Sequence, residues 1–322
     1  MVALTLVASA VARAEPRIKH STVRVADQKV RVATRYHGHP DAKTTLLCLH
    51  GLTRNGADFD ALAKALAGRD LQVIAPDIVG RGQSGWLNGE GRHLHYNLDT
   101  NAAQVEQTVD QDGLSGKKTF VLGTSMGGFT ANKLARRGRI RLDGVILNDV
   151  GPNVSASALK YLAKTLKGET GLVLRDRAAT VRYVEAKYAG FGLQDRATWE
   201  AIADSSFVHD PGKGGFVVRY DPAITALVRE TGSIKAFVVS RILTAAALGD
   251  WEAVRSPVLV LRGGSSPILD PDTVRAMVES KGQRNVEVAT FDGTPAHPIG
   301  HAPLLNSSDQ IHVVRDWLRR HQ

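Results

Sequence analysis

Phe120-Val121-Leu122-Gly123-Thr124-Ser125-Met126-Gly127-Gly128-Phe129 runs from an apolar strand pattern through Gly-x-Ser-x-Gly into a helical pattern. A turn this tight between strand and helix leaves room only for small residues at 123 and 127. It also forces the serine between them into a strained backbone with its hydroxyl outward. The five-residue pattern alone is common by chance. The strand before it and the helix after it are what a nucleophile on such a turn requires, so Ser125 is the candidate nucleophile.

Outward from that turn, short buried strand patterns alternate with helical ones. The strand candidates are 45–49, 72–75, 119–122, 144–147, 257–261 and 286–291. Such alternation predicts an α/β fold, a mostly parallel sheet with helices on both faces. Ahead of it, Thr22 to Tyr36 alternates Val and Thr with polar residues around an expected turn at Asp27-Gln28, as in an antiparallel hairpin. Between residues 152 and 251 no clear buried strand is read. Leu159, Leu162, Ala163 and Leu166 fall at helical spacing there, with Ser155 and Ser157 available as caps and Gly168 as a stop. Val181, Val184 and Tyr188 repeat that spacing. The expected organisation is an N-terminal segment over 1–21, a core over 22–151 and 252–322, and a helical lid over 152–251, inserted after the sixth strand and lying over the strand ends.

Composition narrows the class of protein. The 322 residues are 43% apolar without low-complexity runs, enough for a large core. Lys and Arg exceed Asp and Glu by 41 to 32, a net charge of +9. The densest basic stretch, Arg136 to Arg141, lacks the interleaved aromatics that stack on bases, so a solvated basic surface is the expectation and nucleic acid is not. Cys48 is the single cysteine and lies in an apolar run, which excludes an intrachain disulfide and a cysteine metal cluster. No metal or cofactor is expected. Residues 1–14, MVALTLVASAVARA, end in a cleavage-like Ala-Arg-Ala but lack a basic start, so both a cytoplasmic and an exported or periplasmic chain stay open. No membrane-spanning stretch is read.

A serine hydroxyl needs a base within hydrogen-bonding reach and a third group to orient that base. Downstream of the last strand lies Pro298-Ile299-Gly300-His301-Ala302-Pro303, and the small neighbours of His301 allow it to approach the serine closely. His297 is the competitor. The amide that follows the nucleophile, that of Met126, is one expected donor to an oxyanion.

Together the serine turn, His50-Gly51 after the third strand, Asp77-x-x-Gly80-Arg81-Gly82-x-Ser84 and the Gly-His-Ala-Pro segment resemble the α/β-hydrolase family over residues 22–322. The resemblance implies that the residue after His-Gly, Leu52, gives the second oxyanion amide and that His50 supports its loop. It also implies an acid after the strand that follows the lid. There the chain reads Arg262-Gly263-Gly264-Ser265-Ser266-Pro267-Ile268-Leu269-Asp270, with proline where the aspartate is expected. Some members, including certain dehalogenases and lactonases, carry the acid instead at the end of the strand after the nucleophile helix, which points to Asp149. Asp149 leads Asp270, and Asp272 comes third. The glycine-rich 80–85 loop lacks the ending of a phosphate loop, while Asp221-Pro222 and Arg241 read as a turn and a solvated charge.

Family members that attack alkyl halides or epoxides use an aspartate nucleophile, so Ser125 implies ester or lactone hydrolysis through an acyl-enzyme. A carbon-carbon hydrolase of ring-cleavage products, an amide-cleaving member, a hydrolase-fold receptor and a perhydrolase side activity are the alternatives. Tyr161, Tyr183, Tyr188, Trp199, Phe207 and Phe216 suggest an apolar pocket for a small-molecule ester or lactone, although packing is the commoner use of lid aromatics.

Overall fold

Among the described residues the chain folds around ten strands: β1 (Arg17–Val25), β2 (Gln28–His37), β3 (Thr44–Leu49), β4 (Leu71–Pro76), β5 (Lys118–Thr124), β6 (Gly144–Asn148), β7 (Phe207–Asp210), β8 (Gly215–Val218), β9 (Val258–Gly263) and β10 (Val286–Phe291). The structure is a computed structural model that describes residues 15–169, 171–192, 194–226, 233–281 and 285–322. Residues 1–14, with their cleavage-like site, lie outside the described residues.

Eight of the strands form one sheet in the order β1-β2-β4-β3-β5-β6-β9-β10, antiparallel at β1-β2-β4 and parallel from β4 onward. Side chains alternate across each strand. Leu47, Leu49, Val121, Val145 and Val260 face α2 (Leu98–Gln111), α3 (Met126–Arg137), α7 (Ser233–Glu252) and α8 (Pro271–Lys281). Leu46, Cys48, Phe120, Leu122, Ile146 and Leu261 face α1 (Asp60–Leu66) and α9 (Ser308–His321). Both faces are covered, which is why the strands read as continuous apolar runs. Trp317 of α9 is wholly buried and meets Phe120 edge to face at 5.9 Å.

Three sequence expectations are corrected. β1 begins at Arg17, not Thr22, so residues 17–21 belong to the sheet rather than to an N-terminal segment. The hairpin turns at Ala26-Asp27, whose φ values of +46° and +59° are those of a primed turn matched to the strand twist, rather than at Asp27-Gln28. The segment between β6 and β9, expected to be mostly helical with no clear strand, also contains a strand pair. It holds α4 (Ala156–Lys167), α5 (Arg177–Lys187), α6 (Arg196–Ser206) and α7 beside the β7-β8 hairpin. Ser155 caps α4 by accepting from the Ala158 amide at 3.1 Å, and Gly168 ends it. This inserted segment has an apolar cluster of its own around Val184, Trp199, Ile202, Phe207 and Tyr220.

Candidate active site

Ser125 sits between β5 and α3 with φ +52° and ψ −116°, a conformation that costs on the order of 1–3 kcal/mol and persists only where packing imposes it. Packing does so here. A Cβ at Gly123 would stand 2.3 Å from the Gly127 carbonyl oxygen, and one at Gly127 would stand 1.9 Å from that of Leu49. The Ser125 amide donates to Asn148 O at 3.0 Å, tying the turn to the end of β6.

His301 lies in the loop between β10 and α9, with Nε2 3.2 Å from Ser125 Oγ and Nδ1 2.7 Å from Asp149 Oδ2. Asp149 follows β6, has φ +56° and is fully buried. Its Oδ1 accepts from the Gly263 amide at 3.1 Å, and its Oδ2 also accepts from Ser266 Oγ at 2.7 Å and the Ala302 amide at 3.2 Å. A buried carboxylate with this many donors is satisfied and fixed in place. It sets the tautomer of His301: Nδ1 carries the proton toward Asp149, and Nε2 is left to accept one from Ser125.

The other sequence candidates are not brought to this line. Asp270 caps α8, taking the Thr273 amide at 2.7 Å and the Thr273 hydroxyl at 3.0 Å. Asp272 is exposed and pairs with Arg275. His297 is exposed at the start of the loop that carries His301. Arg241 is exposed on α7, whereas Asp221 is buried, capping a short turn at Ala223 while holding Arg92 and Tyr96.

Met126 is the first residue of α3, so its amide has no partner within the helix. Leu52 lies in the loop after β3, against the same cavity as Ser125. His50, beneath that loop, accepts the Ile78 amide on Nε2 at 2.9 Å and donates from Nδ1 to Gly51 O at 2.8 Å. Burial holds its pKa down to about 3, so the ring is neutral.

Three contributors were not read from the sequence. Ser266 donates to Asp149 from the loop where the acid was first sought. Asn148 donates through Nδ2 to Thr124 Oγ1 at 3.1 Å and to Pro303 O at 2.9 Å, joining the serine turn to the histidine loop. Arg81 donates to Leu52 O at 3.0 Å. Asn148 left one signal, an amide closing an otherwise apolar strand.

Ser125 and His301 open into a cavity of about 130 Å³ walled by Leu52, Tyr161, Leu166 and Phe191. Its charged side chains are Arg54 and Asp58, which pair with each other, and Lys187, which pairs with Glu169. A more open groove of about 600 Å³ beside α1 and α6, lined by Asp60, Lys64 and Asp204, contains neither Ser125 nor His301. Proximity to Ser125 therefore favours the smaller cavity as the reaction site. Trp199 and Phe207 are spent on packing, while Tyr161 and Tyr188 reach the cavity. Among the described residues no group of three or more His, Cys, Asp or Glu side chains is placed to hold a metal ion, and no helix is long and apolar enough to cross a membrane.

Residues 40–299 match the family model described as serine aminopeptidase, S33. The chain is 32% identical over 293 residues to a 3-hydroxybutyrate-oligomer hydrolase from Cupriavidus necator, covering 88% of this chain and 91% of that protein. It is 25% identical over 281 residues to a monoglyceride lipase from Mus musculus, covering 86% and 82%. Among solved structures, an α/β-hydrolase from Novosphingobium aromaticivorans superposes with a TM-score of 0.74 at 28% identity, over 95% of this chain and 99% of that one.

Proposed function

The chain belongs to the serine aminopeptidase S33 family of α/β-hydrolases, and on that footing we propose that it is an esterase that cleaves short hydroxyacid esters through an acyl-enzyme on Ser125. The observation that carries this reading is the continuous line from Ser125 Oγ through His301 to Asp149, at 3.2 and 2.7 Å. Similarity to the Cupriavidus necator oligomer hydrolase supports the acyl class, and the small apolar cavity supports a short chain.

In the mechanism that follows, Ser125 Oγ attacks the ester carbonyl carbon while its proton passes to His301 Nε2. Asp149 holds the ring and stabilises the imidazolium through Nδ1. The carbonyl oxygen becomes an oxyanion facing the Met126 and Leu52 amides, donors of a kind worth about 3–4 kcal/mol of barrier each. His301 then returns the proton to the leaving alkoxide, and the C–O bond breaks to give alcohol and acyl-Ser125. A water, giving its proton to His301, attacks the acyl carbon, and collapse of that second intermediate releases the acid and restores Ser125. The inserted segment, with Tyr161, Leu166 and Phe191 over the cavity, acts as the lid that excludes bulk water.

Mass spectrometry of the intact chain after fluorophosphonate treatment, beside assays on p-nitrophenyl esters of increasing chain length and on lactones, tests the reading. The expected result is one adduct on Ser125, none on Ser125→Ala, and turnover that falls beyond short acyl chains. An adduct with no ester or lactone turnover would sink the esterase assignment.

A further inference from the structure

The loop after β4 buries Arg81 to 1% exposure, although among the described residues its guanidinium enters no ion pair. Asp221, the carboxylate whose field reaches it, is held by Arg92. Burial lowers the Arg81 pKa to about 10, which still leaves it cationic near neutral pH. A buried cation without a carboxylate is costly, and its donors show what it does instead. Nε donates to Leu52 O at 3.0 Å, Nη1 to Val79 O at 2.8 Å, and Nη2 lies 3.4 Å from Met126 Sδ. Leu52 and Met126 are the two residues whose amides are assigned to the oxyanion.

The inserted segment holds Arg81 in turn. Arg81 forms an antiparallel bridge with Tyr220, the Gly82 amide donates to Arg219 O at 2.9 Å, and the Asp221 amide donates to Gly80 O at 2.8 Å. The guanidinium carbon lies 5.6 Å from the centre of the Tyr96 ring, and Tyr96 is fixed by its hydroxyl bond to Asp221 at 2.8 Å.

We propose that Arg81 is a positioning residue for the oxyanion site: its guanidinium holds the Leu52 carbonyl and lies against the Met126 side chain, so that it touches both residues whose amides face the oxyanion, and is itself kept there by the inserted segment. This rests on the esterase reading above. Oxyanion donors accelerate a reaction to the extent that they are fixed before charge develops, so a group that fixes them acts on kcat rather than on substrate binding. Lysine at 81 would carry the charge without the three-pronged fork.

The experiment compares wild type, Arg81→Lys and Arg81→Met on p-nitrophenyl butyrate, with rates expressed per site titrated by fluorophosphonate. Affinity for phenylboronic acid, whose tetrahedral adduct on serine presents an oxygen to the oxyanion amides, is measured beside them. Arg81→Met is expected to lose about 100-fold in kcat, the loss seen when an oxyanion donor is removed, with KM within about threefold and boronate affinity falling in parallel. Arg81→Lys is expected to lie between, about tenfold below wild type. A purely structural arginine would lower the melting temperature and the titratable fraction while leaving kcat per site and boronate affinity unchanged, and that result would overturn the proposal. If Arg81→Met does not fold, Arg81→Lys decides alone: parallel loss of kcat and boronate affinity supports it, and wild-type values of both overturn it. Wild type without ester turnover would remove the esterase reading and this inference with it, whereas an active wild type matched by Arg81→Lys would remove only the inference.

Discussion

Two aspartates compete for one role in the sequence, and their surroundings separate them. Asp149 collects His301 Nδ1, two backbone amides and the Ser266 hydroxyl in a fully buried site, whereas Asp270 spends both oxygens on Thr273. Asp149→Asn, which offers an amide where Nδ1 needs an acceptor, is expected to lower kcat by about 10⁴. Asp270→Asn should keep kcat and nearly all of the stability, because asparagine caps a helix about as well as aspartate and can still accept the Thr273 amide. Rates on one chromogenic ester measure both, and the reverse ranking would move the acid to 270. The Ser125 and His301 pair was readable because each lies in a local pattern whose stereochemistry is known. Ser266, Asn148 and Arg81 were not, because what each does depends on a partner far away in sequence. His50 is a further residue-scale test. Burial drops its pKa to about 3 from an ordinary 6.5, so between those values the unfolded chain takes up a proton that the folded one refuses. Folded stability is therefore lost as pH falls through that window, at up to about 1.4 kcal/mol per pH unit from this group. Denaturant melts between about pH 4 and 6 should show a shallower slope in His50→Gln, by up to one proton; an unchanged slope would mean that His50 is protonated in the fold.

At the scale of elements, the inserted segment is where sequence reading lost most. Its helices α4 and α5 were legible from their spacing and from Ser155, but β7 and β8 are four residues each and too short for alternation to register. The turn between them, Asp210-Pro211-Gly212-Lys213-Gly214, was the available signal. What holds the segment together is a buried polar knot. Glu169 pairs with Lys187, accepts from the Tyr220 hydroxyl at 2.7 Å and lies 3.4 Å from the Tyr183 hydroxyl. These contacts join the segment after α4 to α5 and to Tyr220, two residues beyond β8. Glu169→Gln leaves Lys187 buried without a counter-charge, which costs about 3–5 kcal/mol in such settings. That exceeds what a segment of this size can absorb without opening. Hydrogen exchange should therefore accelerate across α4 and α5 while β5 and α3 keep their protection. Acceleration spread evenly over the sheet would show that the segment has no stability of its own.

The whole molecule divides most of its apolar interior between the two faces of one sheet, with the inserted segment's cluster as a third body of packing, touched by Leu52, Tyr96 and Leu304, and a smaller fourth around Val23, Val32 and Val79. The sheet was legible because strands covered on both faces must be largely apolar, and such runs stand out at 45–49, 119–122 and 144–147. The strand order was not, since placing β4 outside β3 depends on crossover paths that leave no local mark. This division makes a prediction about how the molecule melts. Trp317 is wholly buried against Phe120 and among residues of α1, α9 and the sheet, so Trp317→Ala opens a cavity in the packing that β3, β4, β5, β6, β9 and β10 share. Its cost is about 3–5 kcal/mol, and it should lower a single cooperative transition. Trp199→Ala removes a comparable side chain from the inserted cluster, where Val184, Ile202 and Phe207 are buried with it. There the loss falls on the segment first, and calorimetry should resolve a low-temperature shoulder ahead of a main transition near that of wild type. With Ser125 and His301 both carried by the core, fluorophosphonate labelling should survive past that shoulder although ester turnover fails within it, because the cavity wall is gone while the serine line remains. If both variants lowered the same transition equally, the third cluster would be part of the core, and the inserted segment could not open as a lid without unfolding the enzyme.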